Sequence, residues 1–322
     1  MDVRWGILGA GYIARKFAEG IAESSNGTLV AVGARTKEGA EALAIAYQAL
    51  ALDLVRCPEV DAIYIATPHV FHCQHTLLAL SNGKSVLSEK PFAVNALEAA
   101  EMVNLARSNN HFLMEAMWTR FCPGLKIVKD FIKRIGRVES MQADFSFKAD
   151  YQPEGRLFNS ALGGGALLDV GIYPISLAIY LFGFPDEVNS RATLSDQGID
   201  LSSNYTFKYN KGLRANLAAS ITEDKPGIAI ITGEYGQVKI GPKFWHMEDI
   251  KLTLKDGTEE VYHKQNELSD FTHQVEAVGS SIASGQQENS QMSLDDSVEI
   301  MKIMDLIRQQ CEIVYRADCA SA

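Results

Sequence analysis

The stretch Val3-Arg4-Trp5-Gly6-Ile7-Leu8-Gly9-Ala10-Gly11-Tyr12-Ile13-Ala14 decides the fold of this chain. Its first six residues are mostly apolar and predict a buried strand, and Ile13–Ala22 has the apolar spacing of a helix. Between the two, the small residues follow the spacing Gly-x-Gly-x-x-Ala. A strand, a glycine-rich turn and a helix in that order predict the first unit of a doubly wound α/β fold.

Each small residue of this turn has a physical reason. Gly9 permits the tight turn after the strand, Gly11 lets a pyrophosphate approach the backbone, and Ala14 lets the helix pack closely on the strand. The helix then starts near Tyr12 and Ile13, where backbone N–H groups and the helix dipole favour phosphate. We therefore expect these five residues to bind a dinucleotide, and the alternative is a tight turn without a ligand.

Short β-rich segments alternate with helical patterns over the first third of the chain. Strands are predicted at Val3–Leu8, Thr28–Ala34, Ala62–Ala66, Ser85–Leu87 and Phe112–Ala116. Helices are predicted at Ile13–Ala22, at Lys37–Tyr47, in the segment that ends at Leu80, and at Ala96–Ser108. Strands separated by helices make right-handed βαβ units and a parallel sheet. The prediction is a Rossmann domain over residues 1–118.

The pattern changes after residue 118. Period-two strands are predicted at Arg137–Phe147, Glu187–Leu194, Ser203–Tyr209, Leu213–Ser220, Ile228–Gly233, Gln237–Ile240 and Ile250–Leu254. Turns such as Asn210-Lys211-Gly212 and Lys255-Asp256-Gly257 predict hairpins. Helices are predicted at Pro123–Arg134, Gly165–Phe182, Asp270–Ser284 and Leu294–Tyr315. Residues 119–322 are thus expected to form an α+β domain with a large, mostly antiparallel, open sheet.

Composition excludes several classes of function. The 322 residues carry 30 Lys and Arg against 40 Asp and Glu, a net charge of −10. This balance argues against a nucleic-acid or anionic-membrane partner, because both require a basic face. Five cysteines without C-x-x-C spacing, and a start without the features of a signal peptide, predict a cytoplasmic protein. The apolar segment Ala166–Phe184 is interrupted by polar residues and is expected to be a buried helix.

The end of the second predicted strand indicates which dinucleotide binds. Proteins that bind NAD usually place an acidic residue there, whereas this chain has Ala34-Arg35-Thr36-Lys37. Arg35 can pair with a 2′-phosphate through two hydrogen bonds, and Thr36 can donate its hydroxyl. The sequence therefore favours NADP over NAD, the alternative being a solvated charge at a helix start.

Two further segments carry residues suited to chemistry. Ser88-Glu89-Lys90-Pro91 follows a parallel strand, and ligands of open α/β sheets bind at such strand ends. In Gly163–Tyr173, three glycines precede an apolar helix, which is costly unless something approaches that backbone. Asp169 and Tyr173 are spaced i, i+4, so they are expected on one helix face, where a carboxylate beside a phenol can orient a hydroxyl for proton transfer.

These motifs, in the order Gly9-x-Gly11-x-x-Ala14, Thr67-Pro68-His69-x-x-His72, Glu89-Lys90-Pro91 and Gly163-Gly-Gly-x-Leu-Leu-Asp169-x-Gly-x-Tyr173, resemble the Gfo/Idh/MocA oxidoreductases over nearly the whole chain. Members of that family transfer hydride between NAD(P) and sugars, cyclitols, diols or related carbonyl compounds. His69, Tyr173 and the segment Leu113–Phe121 resemble the branch of dimeric trans-dihydrodiol dehydrogenases, which also contains NADP-dependent xylose dehydrogenases.

The resemblance implies roles for individual residues. Lys90 and Tyr173 would be the acid/base pair with Asp169 in support, and Trp118 and Arg120 would line the substrate pocket. A tyrosine can carry this proton if a nearby cation lowers its pKa from about 10, and Lys90 is the candidate cation. Cofactor contacts are implied at Thr67, Pro68, His69, His72, Glu89 and Lys90. A homodimer or homotetramer through the sheet of the second domain is also implied.

The chain departs from the family pattern in two places. The segment from Tyr47 to Val60 is short, so we expect a small strand with its loop to be missing, through either a true deletion or absent residues. Gly39 stands where some relatives carry a second arginine, which leaves a 2′-phosphate to Arg35, Thr36 and Lys37.

Other interpretations use the same residues differently. His69, His72, Cys73 and His75 suggest a metal site, but the sequence offers no second ligand cluster, so no metal is expected. A regulatory protein or redox sensor that binds NADP without catalysis is an alternative function, and an aldose- or inositol-type dehydrogenase is another. Trp245 and His246 either reach the pocket or cap a sheet, and the sequence leaves both open.

Overall fold

The computed structural model describes residues 2–34, 48–49, 51–265 and 268–315. The first elements along the chain are β1 (Val3–Leu8), α1 (Tyr12–Glu23), β2 (Gly27–Gly33), β3 (Gln48–Ala49), α2 (Ala51–Arg56), β4 (Ala62–Ile65), α3 (His72–Ser81), β5 (Ser85–Glu89), α4 (Ala96–Asn109) and β6 (Leu113–Ala116). The expected helix Lys37–Tyr47 and the expected cofactor residues Arg35 and Thr36 lie outside the described residues.

The later elements begin with α5 (Gly124–Arg134) and β7 (Val138–Ser146). They continue with α6 (Ile172–Phe182), β8 (Glu187–Leu194), β9 (Asp200–Lys208), β10 (Arg214–Ser220), β11 (Ala229–Gly233), β12 (Gly236–Ile240), β13 (Asp249–Leu254), β14 (Glu259–His263), α7 (Asp270–Ala283) and α8 (Leu294–Cys311).

The chain divides into two compact units. The first unit comprises Met1–Phe121 with Glu267–Met301, and the second comprises Cys122–Asn266 with Lys302–Ala322. The sequence predicts one boundary after residue 118, whereas a later segment of the chain also belongs to the first unit. Helix α7 joins the first unit because it packs closely on α1: a Cβ on Gly20 would stand 2.8 Å from the Cβ of Phe271.

The first unit contains a six-stranded parallel sheet in the order β3-β2-β1-β4-β5-β6. This is the strand order of a Rossmann fold, so the prediction of a doubly wound parallel sheet is confirmed. β4 and β6 are buried along their whole length, as expected for strands covered on both faces. The expectation that a strand is missing near residues 47–60 was wrong, because Gln48–Ala49 pairs with β2 as a two-residue strand.

The second unit contains an eight-stranded sheet in the order β14-β13-β12-β11-β7-β10-β9-β8. Its pairings are antiparallel except for β7 with β10, which confirms the predicted mixed α+β class. The edge strand β14 was not predicted, since its sequence Glu-Glu-Val-Tyr-His is largely exposed and lacks apolar alternation. Helix α8 ends at Cys311, four residues before the expected end at Tyr315.

The apolar segment Ser160–Phe182 is long and apolar enough to cross a membrane by length and composition. Of its most apolar window, 83% is buried inside the protein. It includes α6, which contains eight buried residues from Ile172 to Ile179. The segment therefore has the burial of a core helix, as the sequence predicts.

Candidate active site

The glycine loop of the first unit has the geometry of a phosphate-binding turn. Gly9 has a φ of +120°, and a Cβ at this position would stand 2.5 Å from the carbonyl oxygen of Ala66. A Cβ on Gly11 would meet nothing within 4 Å, so the backbone there faces open space. Gly11 is also the N-cap of α1, which has no side-chain cap and no acidic residue in its first turn. These uncapped N–H groups fit the pyrophosphate of a dinucleotide.

The flanking residues agree with this geometry. Ala14 is a fully buried residue of α1, whereas Tyr12 in the same helix is 72% exposed. Ile13 is half-buried. The five residues predicted for the loop thus form one turn and one helix start, with the open side at Gly11 and Tyr12.

His72 has a structural role in the segment that follows β4. Its ring is fully buried. Its Nδ1 lies 2.8 Å from the carbonyl oxygen of Pro91, and its Nε2 lies 2.8 Å from that of Thr67. Burial lowers the pKa of His72 to about 4, and the neutral ring has one N–H to donate. The ring thus lies between two backbone segments and donates to one of the two carbonyl oxygens, and its predicted contact with a cofactor stays a prediction.

Three other residues of this segment that are predicted to contact the cofactor are only partly buried: Thr67, Pro68 and His69. His69 is half-buried, and its ring centroid lies 5.7 Å from that of His72. Thr67 is also half-buried and its Oγ1 lies 3.0 Å from Nδ1 of His75. Pro68 is half-buried as well. These three residues follow β4 and lie at the carboxyl end of the parallel sheet, where ligands of such sheets bind.

Lys90 follows directly after β5 and is held by the residue before it. Glu89 is 4% exposed. One of its oxygens accepts a hydrogen bond from the hydroxyl of Tyr64, and the other accepts from the backbone N–H of Lys90 at 3.2 Å. The carboxylate of Glu89 therefore fixes the backbone of Lys90 from inside the sheet, and its predicted cofactor contact stays a prediction.

A second buried carboxyl group, which the sequence analysis missed, holds the same segment. Glu115 on β6 is 1% exposed, and its Oε1 accepts a hydrogen bond from the backbone N–H of Phe92 at 3.1 Å. Burial raises the pKa of Glu115 to about 7. The positive charge of Arg120 lowers this pKa, and the negative charge of Glu89 raises it. Ser88 on β5 pairs with Glu115 on β6. The predicted order of the strands implies that β5 and β6 are neighbours, but it does not predict that the acid on β6 is buried.

Two residues expected in the substrate pocket are buried within the first unit. Arg120 is 2% exposed, and its Nη1 donates to Oδ2 of Asp296 at 2.6 Å and to the carbonyl oxygen of Gln291 at 3.2 Å. Trp118 is 4% exposed, and its ring lies 5.5 Å from that of Phe271. The guanidinium of Arg120 thus forms an ion pair within the first unit, and the predicted pocket roles of Arg120 and Trp118 stay predictions.

Asp169 and Tyr173 belong to the second unit. The five residues Leu167–Gly171 form a π-helical turn, and α6 continues from Ile172. The α-helical spacing that placed Asp169 and Tyr173 on one face therefore does not hold over this segment, since a π-helix has more residues per turn. Asp169 is 5% exposed, and its Oδ1 accepts from Nη1 of Arg156 at 2.7 Å. The sequence analysis missed Arg156, which lies in the segment between β7 and the turn.

Tyr173 lies beside a stacked aromatic pair. Its ring centroid is 5.1 Å from that of Phe145 on β7. Phe145 in turn stacks on Trp245 at 3.5 Å with an interplanar angle of 2°. Trp245 therefore belongs to the aromatic cluster beside Tyr173. Phe145 lies in a predicted strand but was not among the predicted site residues.

The glycines before the turn have a neighbour from their own unit. Gly165 has a φ of +118°, and a Cβ there would collide with the carboxylate of Asp200. Oδ2 of Asp200 accepts from the backbone N–H of Leu167 and from the hydroxyl of Ser203, both at 2.8 Å. The sequence predicts that something approaches this backbone, and the structure identifies a buried carboxylate.

The histidine cluster after β4 does not form a metal site in the described part of the chain. Among the residues at 2–34, 48–49, 51–265 and 268–315, no three His, Cys, Asp or Glu side chains are placed to hold a metal ion. The ring nitrogens of His72 face backbone carbonyls, and burial raises the pKa of the Cys73 thiol to about 12.

Comparison with protein families identifies both halves of the chain. The Gfo/Idh/MocA model described as an oxidoreductase family with an NAD-binding Rossmann fold matches residues 3–117. The model of the Gfo/Idh/MocA C-terminal domain matches residues 128–239.

Curated relatives align with the chain from end to end. A trans-1,2-dihydrobenzene-1,2-diol dehydrogenase of Xenopus tropicalis is 31% identical over 335 residues, covering 98% of this chain and 100% of the relative. An NADP+-dependent scyllo-inositol 2-dehydrogenase of Bacillus subtilis is 31% identical over 329 residues, covering 99% and 100%. Among solved structures, an aldose-aldose oxidoreductase of Caulobacter crescentus superposes with a TM-score of 0.86 at 24% identity, covering 97% of this chain and 98% of that one.

Proposed function

We propose, from the premise that the chain belongs to the Gfo/Idh/MocA oxidoreductase family, that it transfers hydride between NADP and a cyclic diol, a sugar or a related carbonyl compound. The chain is an NAD(P)-dependent oxidoreductase, and the proposal adds the cofactor preference, the substrate class and the roles of individual residues. We take a dihydrodiol dehydrogenase as its functional model, and an aldose or inositol dehydrogenase acts on chemically similar groups.

The position of Lys90 carries the proposal. Lys90 follows β5, and the glycine loop follows β1 in the same parallel sheet, with β4 between them. Adjacent strands are about 4.8 Å apart, so the two sites lie about 10 Å apart at the carboxyl edge of the sheet. That span suits a dinucleotide whose pyrophosphate lies at Gly11 and whose reactive ring extends toward Lys90. The bound nicotinamide supplies the hydride acceptor or donor.

The side chains of the protein manage the proton of the substrate hydroxyl. We assign the proton to the phenol oxygen of Tyr173, and we assign to the ammonium of Lys90 the task of orienting the substrate oxygen. Asp169 supports this chemistry as a buried carboxylate whose charge is balanced by Arg156. The segment around Lys90 is fixed by Glu89 and Glu115, so its geometry is set before a substrate arrives.

The aromatic pair beside Tyr173 supports a cyclic substrate. Phe145 and Trp245 stack face to face and are both half-buried, so part of their surface is open. Aromatic faces bind the apolar faces of rings, and the charged pair Asp169–Arg156 in the same unit suits hydroxyl groups. The dihydrodiol and inositol dehydrogenases among the relatives are named for cyclic substrates.

The preference for NADP rests on Arg35 and Thr36, which lie outside the described residues, and on the absence of an acid at that position of the sequence. The inositol dehydrogenase among the relatives is named as NADP+-dependent. We propose further that the protein is cytoplasmic, binds neither nucleic acid nor membrane, and forms a homodimer or homotetramer through the eight-stranded sheet.

Cofactor titration followed by a substrate panel tests this function. NADPH and NADH are each titrated against the intrinsic fluorescence of the protein. NADP+ is then mixed with cyclic diols, inositols and aldoses, and absorbance of the reduced nicotinamide is followed. We expect tighter binding of NADPH and turnover of at least one cyclic compound. Tight NADPH binding without turnover on any compound would favour a sensor, and a preference for NADH would contradict the role of Arg35.

A further inference from the structure

Strand β9 contains a bulge that changes the direction of one side chain. Along the pairing with β8, Ser202 lies opposite Thr193 and Asp200 lies opposite Leu194, so Leu201 has no partner. Regular alternation would put residues 200 and 203 on opposite faces of the sheet. With one extra residue between them, both Asp200 and Ser203 are fully buried on the same strand. The bulge thus places a carboxylate inside the second unit.

The carboxylate of Asp200 meets the start of the π-helical turn. Its Oδ2 accepts the backbone N–H of Leu167, the first residue of the turn, at 2.8 Å. Its other oxygen occupies the space that a side chain on Gly165 would need. Asp200 therefore acts as the cap of a helix start that has no cap from its own side chains.

Two hydroxyl groups complete the network beneath the turn. The hydroxyl of Ser203 donates to Oδ2 of Asp200 at 2.8 Å, and it also lies 2.5 Å from the hydroxyl of Tyr205. Tyr205 is 1% exposed, so the whole network is shielded from water. Burying an ionisable group costs free energy unless it is hydrogen-bonded. Here Oδ2 accepts from Leu167 and Ser203, and the backbone N–H groups of Asp200 and Ala166 also hydrogen-bond to the carboxyl group.

Three uncommon features therefore coincide at one place: a strand bulge, a buried carboxylate, and a glycine at positive φ where a side chain would collide with that carboxylate. Bulges are over-represented next to active sites, and burying a carboxylate costs free energy unless it is hydrogen-bonded. The π-helical turn that they hold carries Asp169 and leads directly into Tyr173.

We propose that Asp200 is a positioning residue for the reaction, because its carboxylate fixes the turn Leu167–Gly171 and thereby the side chains of Asp169 and Tyr173. This inference rests on the proposed function, since it assigns Asp200 an effect on the same chemical step. Asp200 does not touch the reacting atoms in this account.

Steady-state kinetics of Asp200→Ala and Asp200→Asn test the inference in the full-length protein. The alanine variant loses the hydrogen bonds of the carboxylate, so we expect kcat to fall by about 10- to 100-fold, as small misplacements of reacting groups do. Asparagine keeps one acceptor oxygen, so Asp200→Asn should recover kcat to within about fivefold of the wild type. The KM for NADPH should stay unchanged in both variants, because the glycine loop lies in the other unit.

The matched control is Asp196→Asn, an exposed acid in the connection between β8 and β9, which should leave kcat unchanged. If Asp200→Ala does not fold, as judged by circular dichroism and NADPH binding, then Ser203→Ala replaces it. That variant removes one donor to Asp200 and should lower kcat by about threefold or more.

A merely structural role would lower the melting temperature and leave kcat per folded molecule within twofold of the wild type, and that result would overturn the inference. Failure of the proposed function is distinguishable from this. If the wild-type enzyme turns over no compound of the panel, the proposed function fails. If the wild type is active and the variants keep its kcat, only the role of Asp200 fails.

Discussion

Lys90 follows a regular strand of a parallel sheet, whereas Tyr173 follows a π-helical turn that a distant strand holds in place. Around Lys90, Glu89 on β5 accepts from the N–H of the next residue, and Glu115 on the adjacent parallel strand β6 accepts from the N–H of Phe92, 23 residues before it in the chain. Around the turn, the corresponding carboxylate comes from Asp200, which lies 33 residues further along the chain than Leu167. The comparison teaches that a site residue is easy to place from sequence where regular elements hold it, and difficult where irregular elements do.

The largest expected effect on kcat comes from removing the hydroxyl of Tyr173, the proposed proton carrier, which follows the π-helical turn. Tyr173→Phe keeps the ring beside Phe145 and loses the hydroxyl, so we expect kcat to fall by about 1,000-fold, within the range of general acid–base catalysis. Tyr180→Phe on the same helix is the matched control and should keep full activity. Steady-state turnover with NADP+ measures both. A kcat within tenfold of the wild type in Tyr173→Phe would remove Tyr173 from the mechanism.

The next effect concerns Glu115, the buried acid on β6 near Lys90. Burial raises the pKa of Glu115 to about 7, above its ordinary value of 4.5. Between pH 4.5 and pH 7, Glu115 is therefore protonated in the folded state and ionised in the unfolded state. Its contribution to the free energy of unfolding is fully present below pH 4.5 and is lost as the pH rises through 7. Glu115→Gln is neutral at every pH, so its stability relative to the wild type should rise by about 2 to 3 kcal/mol between pH 5 and pH 8.

Urea unfolding of Glu115→Gln, the wild type and the exposed control Glu101→Gln at both pH values measures this shift. His72 acts in the opposite direction, because burial lowers its pKa to about 4 and its contribution is lost as the pH falls from 6.5 through 4. The comparison with the wild type cancels that contribution. Equal differences at the two pH values would show that Glu115 is ionised in the folded protein throughout.

A smaller effect is expected for the choice of cofactor. Arg35→Leu removes the side chain that we assign to the 2′-phosphate, so the Kd for NADPH should rise by about 10- to 50-fold, the value of a charge-assisted hydrogen-bonded pair. The Kd for NADH should stay within twofold. Fluorescence titration of each cofactor measures both constants. Equal weakening of NADPH and NADH would mean that Arg35 acts on the fold rather than on the phosphate.

The smallest effect concerns the ion pair of Asp169. The side chain of Arg156 is 55% exposed, so its pairing with Asp169 is partly screened by solvent. Arg156→Gln should therefore lower kcat/KM by about threefold to tenfold and leave cofactor binding unchanged. Arg191→Gln, an exposed arginine on β8, is the control. An unchanged kcat/KM would mean that Asp169 works without its partner.

Much of the fold was predictable because its elements are periodic. The glycine loop, the parallel sheet, the antiparallel sheet and the family follow from apolar runs, from period-two patterns and from motifs in a fixed order, and the family and the fold are confirmed. The position of Lys90 at the end of β5 was likewise implied by its neighbouring strand.

The rest depends on interactions between distant residues. Nothing local distinguishes Glu115 or Asp200 from a solvated acid, because their burial is decided by strand pairing and by the bulge at Leu201. The same holds for Arg120, whose partner Asp296 comes from α8, and for α7, whose amphipathic pattern does not say which sheet it covers. Arg35 and Thr36 remain predictions.

The most direct test of the central claim is the turnover of Lys90→Met, measured with NADP+ and a compound that the wild type oxidises. The account predicts a loss of at least about 100-fold in kcat, while NADPH still binds because the glycine loop that is assigned to its pyrophosphate is intact and Lys90 is one of several predicted cofactor contacts. Lys211→Met, in the exposed turn between β9 and β10, should keep wild-type turnover. Full turnover by Lys90→Met would contradict the account.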